Sequence, residues 1–283
     1  MKNSWVTKAS DYDWDWENVS AEVTDIEVAK RFFEVGQDRL SGQVALVTGG
    51  GRGIGRMSAL ALAGEGAAVV VLARSQGQID ETAGIIYDLG GRCLSILCDV
   101  VDLSQLQKAT TRAVEEYGKL SIVLVNAGTN LDRNQLLASD PVGFEQTIRV
   151  NLLGAYYTAY AVAPELVRAG GGHLIFVESG LGINPSPGML AYGASKAGVH
   201  QMVTSYAREL CDYKITVNGL NPGPTATELT APLRVPGQEK GVFAEPNSWV
   251  KHPAYVAKWV RDMACWVPGQ CPSGQTYDLK RAR

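Results

Sequence analysis

A tyrosine and a lysine stand four residues apart in Tyr192-Gly-Ala-Ser-Lys196, and Ser179 lies upstream of them at the end of an apolar run. If the segment is helical, phenol and ammonium share one face. A phenol ordinarily titrates at about pH 10, too high to exchange protons near neutrality. A neighbouring ammonium stabilises the phenolate and draws that value down. The pair then forms a general acid/base suited to carbonyl–alcohol interconversion. The spacing alone is weak evidence, because most such pairs are solvated helix residues. Its weight depends on the elements that position it.

Those elements follow a regular alternation from residue 43 onward. Short apolar strands are expected at 44–48, 67–73, 93–98, 120–125, 173–177, 215–220 and 275–279. Helices are expected at 54–65, 76–89, 103–117, 141–168, 191–212 and 253–266. Continuous apolar strands separated by helices imply a parallel sheet covered on both faces, a doubly wound α/β domain of the Rossmann kind. The first strand runs into Thr48-Gly-Gly-Gly-Arg-Gly-Ile-Gly55. Its spacing, T-G-x-x-x-G-x-G, differs from G-x-G-x-x-G but works by the same physics. Glycines permit a tight turn and close backbone approach, and the helix that follows aims free N–H groups at a pyrophosphate.

The second strand narrows the nucleotide. An NAD site usually places an acid about 20 residues on, for the ribose 2′-hydroxyl. Here that strand ends Leu72-Ala-Arg-Ser75, without a carboxylate. Arg74 is placed to meet a 2′-phosphate, and Arg52 within the glycine loop could reach the same group. The expectation is NADP(H), with NAD(H) the lesser alternative.

Composition sets outer limits. The 283 residues are 46% hydrophobic and 19% charged with a net charge of −3, which gives no reason to expect nucleic acid as a partner. Five scattered cysteines (Cys93, Cys98, Cys211, Cys265, Cys271) without C-x-x-C suit reduced thiols and a cytoplasmic location. His173, His200 and His252 lack metal-ligand spacing, and no metal is expected. No secretory or transit leader and no membrane span are expected. Residues 1–40 stand apart as an acidic, tryptophan-bearing extension of net charge −4, leaving +1 for 41–283. A short amphipathic helix near 26–33 within it would fold on the domain or on a neighbouring subunit.

With these pieces in order, the chain resembles the short-chain dehydrogenase/reductase family in its common single-domain form, over about residues 41–279. The motifs that carry the resemblance are Thr48–Gly55, Asp99, Asn126-Ala-Gly128, Asn151, Ser179, Tyr192-x-x-x-Lys196 and Asn221-Pro-Gly-Pro-Thr-Ala-Thr227. The resemblance implies that Tyr192 protonates the carbonyl oxygen in reduction. Lys196 would lower its pKa and bind the nicotinamide ribose, Ser179 would position the substrate oxygen, and Asn151 would hold a water linking Lys196 to solvent. Gly49, Arg52, Gly53, Ile54 and Gly55 would bind the phosphates, with Arg74 at the 2′-phosphate. Asp99 and Val100 would meet the adenine, and Asn126, Ala127 and Gly128 would lie along the adenosine side. Pro222, Gly223, Thr225 and Thr227 would hold the carboxamide.

Departures from the family pattern bear on the substrate. Val125 stands where a second asparagine is common, and the terminal Asp-Gly-Gly is replaced by Asp278-Leu-Lys-Arg-Ala-Arg283. Glu178 precedes the serine; it either lines the site and favours a polar or cationic substrate, or points away, since strand neighbours alternate faces. Three loops should form the pocket: 129–133, 180–190, and a lid from 225 to 252 bearing Leu229, Leu233, Val235, Phe243 and Trp249. They suit a partly apolar ketone or alcohol. The alternatives are a 3-oxoacyl-thioester reductase and a non-catalytic NADP-binding protein, the latter disfavoured by the intact Ser179, Tyr192, Lys196 and Asn151. A homotetramer or homodimer is expected from the helices at 141–168 and 191–212.

Overall fold

Strands of three to seven residues, most of them apolar and too short to prefer a helix, assemble in the computed structural model into one seven-stranded parallel sheet. The structure describes residues 23–233 and 250–279. The strands are β1 (Val44–Thr48), β2 (Ala68–Ala73), β3 (Arg92–Leu97), β4 (Ile122–Val125), β5 (Gly172–Val177), β6 (Ile215–Asn221) and β7 (Thr276–Asp278), in the order β3-β2-β1-β4-β5-β6-β7. The helices are α1 (Asp25–Val35), α2 (Gly53–Gly64), α3 (Gln76–Asp88), α4 (Leu103–Tyr117), α5 (Pro141–Ile148), α6 (Gly154–Arg168), α7 (Leu190–Glu209) and α8 (Pro253–Ala264). The chain reverses its direction of travel across the sheet between β1 and β4, and that switch is where a doubly wound sheet opens a crevice beyond its strand ends.

Each face of the sheet carries its own core. Phe32, Met57, Leu60, Ile79, Ile86, Val256 and Val260 cover one face. Leu106, Leu120, Val162, Leu166, Val199 and Val203 cover the other. The interior strands β1, β4, β5 and β6 are buried along their whole length, which is why they read as unbroken apolar runs instead of alternating ones.

Two expectations meet local physics here. The short amphipathic helix of the extension is α1, started by a Thr24–Glu27 capping box. It buries Val28, Ala29 and Phe32 against α2, and Arg56 ties it down by an ion pair with Asp25 at 2.8 Å. Trp5, Trp14 and Trp16 lie outside the described residues, as do Val235, Phe243 and Trp249 of the lid. The long helix expected at 141–168 runs without a break, with residues 149–153 forming a π turn between α5 and α6. Single π turns often mark functional sites, and this one carries Asn151. Among the described residues no helix is long and apolar enough to cross a membrane, and all five cysteines are free.

His173 on β5 shows what the sheet interior does to a titratable group. Its Nε2 lies 2.8 Å from the Trp266 carbonyl, and burial pulls its pKa down to about 4 despite that contact. Between pH 6.5 and about 4 the unfolded chain binds a proton here that the folded chain does not. The stability due to this group is therefore present above pH 6.5 and lost as pH falls to about 4. Two to three pKa units correspond to something on the order of 3 kcal/mol. His173→Gln, which keeps a donor for Trp266, should flatten the fall of melting temperature across that window, as followed by circular dichroism.

Candidate active site

The glycine loop is built for close approach. Gly49 and Gly53 have φ of +67° and +55°, where a side chain would be strained. A Cβ on Gly55 would collide with the Gly49 carbonyl and with the Asn126 amide. Arg52 at the N-cap of α2 makes no side-chain capping bond, so the first N–H groups of the helix have no cap from it. Arg74, just past β2, is exposed, with no described acid beside it. The Arg52 guanidinium is ion-paired with Glu228, and both Arg52 and Arg74 line the same cavity.

Three asparagines cross-link the strand ends. Asn126 donates through Nδ2 to the Thr48 and Gly49 carbonyls at 2.9 and 3.3 Å, lashing β4 to the loop after β1. Asn151 accepts from the Thr129 N–H at 2.7 Å and donates to the Thr129 carbonyl at 2.9 Å and to Ser195 Oγ at 3.0 Å. Ser195 in turn donates to the Tyr192 carbonyl at 2.7 Å. Asn221 accepts from the Gly180 and Gly223 N–H groups at 2.9 and 3.2 Å and donates to Asp278. Asp99 and Val100 sit at the cavity wall beyond β3, where Asp99 Oδ1 accepts from the Val101 N–H at 3.2 Å.

Ser179, Tyr192 and Lys196 converge on this cavity from β5 and the first turns of α7. Ser179 is extended, with φ −158°, and bonds the Tyr192 phenol. Burial pushes that phenol up to about 12, with the serine bond working against the rise. Lys196 Nζ lies 5.8 Å from the centre of the Tyr192 ring and donates to the Val177 carbonyl at 2.6 Å. Burial lowers this lysine to about 8, and the nearby Glu178 carboxylate opposes the change. The lowering of the phenol expected from the Tyr–Lys spacing is not seen here: burial raises the phenol and Ser179, not Lys196, opposes the rise.

Glu178 borders the cavity beside Ser179, but its carboxylate is engaged by His200 and Thr276. Its carboxylate lies 3.1 Å from His200 Nδ1 and accepts from Thr276 Oγ1 at 3.1 Å, in space that a Cβ on Gly219 would fill. Strand alternation turns the Glu178 side chain opposite to that of Ser179. Burial raises its pKa, and His200 and Lys196 counteract the shift.

The turn after β6 is pinned from below. Lys251, 1% exposed, donates to the Pro222 carbonyl and to the Leu279 carbonyl, the latter at 2.6 Å. Its backbone pairs with Thr225, so the two ends of the lid segment leave and rejoin the domain side by side. Thr227 lies against Gly53 across the cavity, and Arg133 Nη2 donates to the Leu229 carbonyl at 2.7 Å. The open cavity measures about 890 Å³. Gly49, Arg52, Gly53, Ile54, Arg74, Asp99, Val100, Asn126, Ala127 and Gly128 line one part of it, while Pro222, Gly223, Thr225 and Thr227 border another. Asn151 and Gly55 lie behind this wall as supports. Among the described residues no group of histidine, cysteine and acid side chains could hold a metal.

A long cleft that carries a glycine turn at one end and a Ser/Tyr/Lys cluster at the other is matched by known sequences. The sequence profile of short chain dehydrogenases fits residues 43–236. The chain belongs to that family. This short-chain dehydrogenase is 31% identical over 236 residues to a 3-oxoacyl-(acyl-carrier-protein) reductase of Thermotoga maritima, covering 82% of this chain and 96% of that one. It is 37% identical to a short-chain type dehydrogenase/reductase of Picea abies, over 67% of this chain and 73% of that protein. Among solved structures, a carveol dehydrogenase from Mycobacterium avium in complex with NAD superposes with a TM-score of 0.77 at 27% identity, covering 85% of this chain and 97% of that one.

The sequence pattern of this oxidoreductase does not mark Lys251, Glu228 or Ser195 as parts of the site. Each acts through a bond to a residue distant in sequence, and no local pattern marks it. Asn151→Ala would leave both polar groups of the Thr129 peptide without their partner, at about 1–3 kcal/mol for each group left buried. The expected outcome is a melting temperature lowered by several degrees, read by differential scanning calorimetry.

Proposed function

We propose that this short-chain dehydrogenase is an NADP(H)-dependent enzyme that interconverts a ketone and a secondary alcohol, with Tyr192 as general acid/base. The observation that carries the reading is the convergence of Ser179, Tyr192 and Lys196 on the same cavity as the glycine loop. The loop residues Gly49, Gly53, Ile54 and Gly55 and the start of α2 would bind the pyrophosphate. Arg74 would take the 2′-phosphate, with Arg52 joining only if it leaves Glu228. Asp99 and Val100 would border the adenine, Asn126, Ala127 and Gly128 the adenosine, and Pro222, Gly223, Thr225 and Thr227 the carboxamide. Bound there, the dinucleotide supplies or accepts the hydride.

The protein's own part is orientation and proton transfer. In reduction the Tyr192 phenol gives its proton to the carbonyl oxygen, and in oxidation the phenolate takes it from the alcohol. Ser179 holds the same oxygen by a hydrogen bond. The Lys196 charge favours the phenolate, and Glu178 favours keeping that charge in a dry site. Because the Asn151 amide is engaged by Thr129 and Ser195, a water relay from Lys196 would use the backbone carbonyl of the π turn.

A second reading, reduction of a 3-oxoacyl thioester, is favoured by the relatives that bear that name. Both are tested by following NADPH absorbance with simple ketones and with an acetoacetyl thioester. Tyr192→Phe should lower kcat by about 10²–10⁴-fold, the usual range for a lost general acid. Unchanged ketone reduction would overturn the assignment. Arg74→Ala should weaken NADPH binding by about 10- to 100-fold, as for a charge-assisted hydrogen bond, and leave NADH binding unaltered in a fluorescence titration. The α6 face exposing Tyr156, Tyr160 and Val167 is proposed as a contact between copies in a dimer or tetramer. Sedimentation of the chain as a monomer would sink that part.

A further inference from the structure

The underside of the glycine loop is held by a buried guanidinium. Arg56, 7% exposed, stands one turn into α2. Its Nε donates to the Gly51 carbonyl at 3.0 Å and to Thr82 Oγ1 at 3.2 Å. Thr82 Oγ1, buried on α3, shares its own proton between the Gly50 and Gln78 carbonyls at 3.1 and 3.0 Å. A Cβ on Gly51 would meet the Gln78 side chain at 2.8 Å, so the loop packs directly on α3.

These bonds decide which way the N–H groups of the loop face. Among the described residues every peptide is trans, and in a trans peptide the carbonyl and the N–H point in opposite directions. Drawing the Gly50 and Gly51 carbonyls onto Thr82 and Arg56 turns the Gly51 and Arg52 N–H groups the other way. Gly51 and Arg52 both line the cavity. The other edge of the guanidinium is held by acids from two further helices. Nη1 meets Asp25 Oδ2 at 2.8 Å, and Nη2 meets Glu81 Oε2 at 2.6 Å. Asp25 is the first residue of α1, which lies outside the span 43–236 that matches the short-chain dehydrogenase profile.

We infer that Asp25 and Arg56 are positioning residues for the dinucleotide: α1 sets the tilt of the Arg56 guanidinium, and the guanidinium sets the peptides from Gly50 to Arg52 that receive the pyrophosphate. The guanidinium is a rigid planar fork, so a carboxylate that fixes one edge also fixes where Nε sits at the other. The N-terminal extension is thereby a working part of the nucleotide site, and not only a cover over α2. This rests on the assignment of the glycine loop to the pyrophosphate above.

The test uses the full chain and equilibrium fluorescence titration with NADPH and with NADH, well below the melting temperature. The Asp25 side chain is 40% exposed, so Asp25→Ala spares the core. By charge alone this substitution removes a negative group near an anion site and would tighten binding. Acting through the loop, it should instead weaken NADPH and NADH alike by about 3- to 10-fold, within the range for coupling carried through a contact network. The same factor should appear in KM for NADPH, with the ketone KM unmoved. Val28→Ala is the comparison: Val28 is buried on α1 away from the ion pair, and its loss should lower the melting temperature while leaving nucleotide affinity intact. Unchanged or tighter binding in Asp25→Ala, a loss confined to NADPH, or an equal loss in Val28→Ala overturns the role of α1 and leaves the nucleotide reading standing. Failure of the parent chain to bind either nucleotide overturns both.

Discussion

A dry ammonium is the constraint around which the site is arranged. Lys196 can influence the Tyr192 phenol strongly only where water does not screen it, yet the same dryness draws its own pKa down to about 8. The fold counters this with a second buried charge. Glu178 borders the cavity beside Ser179, and its carboxylate is kept in place by His200 and Thr276. Room for it exists because residue 219 on the adjoining strand is glycine. The two sides of the strand end are thus electrostatically linked, and β6, β7 and α7 all contribute to the Glu178 side.

The second organising device is the use of neutral amides at the strand ends. Asn126, Asn151 and Asn221 each satisfy several backbone groups where the parallel strands splay apart. Carboxylates could accept these bonds but could not donate the complementary ones, and would add negative charge to a cavity suited to phosphates. The π turn belongs to the same scheme. By widening the helix locally it presents Asn151 toward Thr129, and so fixes the loop that carries Asn130 and Arg133.

The chain that leaves the domain after Thr225 returns to it at Lys251, and described contacts hold both points. Lys251 secures the turn at Pro222 and the end of β7 together, so the outgoing and returning chain share one anchor. Arg52 and Arg133 add two attachments near the outgoing end, to Glu228 and to the Leu229 carbonyl. The first is an exposed ion pair of small intrinsic strength. An anion at the glycine loop would compete for the same guanidinium.

Apolar run lengths, the T-G-x-x-x-G-x-G turn and the Tyr192-x-x-x-Lys196 spacing were enough by themselves to establish a doubly wound sheet and to place Ser179 after its fifth strand and Tyr192 and Lys196 on the helix that follows. These are short-range properties: periodicity, turn chemistry and helix geometry act over a few residues. What the tertiary structure alone decided is where the polar side chains between those landmarks point and what they meet. The Glu178 carboxylate is engaged because α7 and β7 bring His200 and Thr276 beside it. Arg52 is paired because Glu228, far along the chain, returns beside it. The helix expected across 141–168 carries a π turn at Asn151, whose side-chain amide bonds the Thr129 backbone on another loop. Such outcomes depend on contacts between distant segments, which no local pattern encodes, and on the cost of leaving a polar atom dry, which exists only once the core has closed.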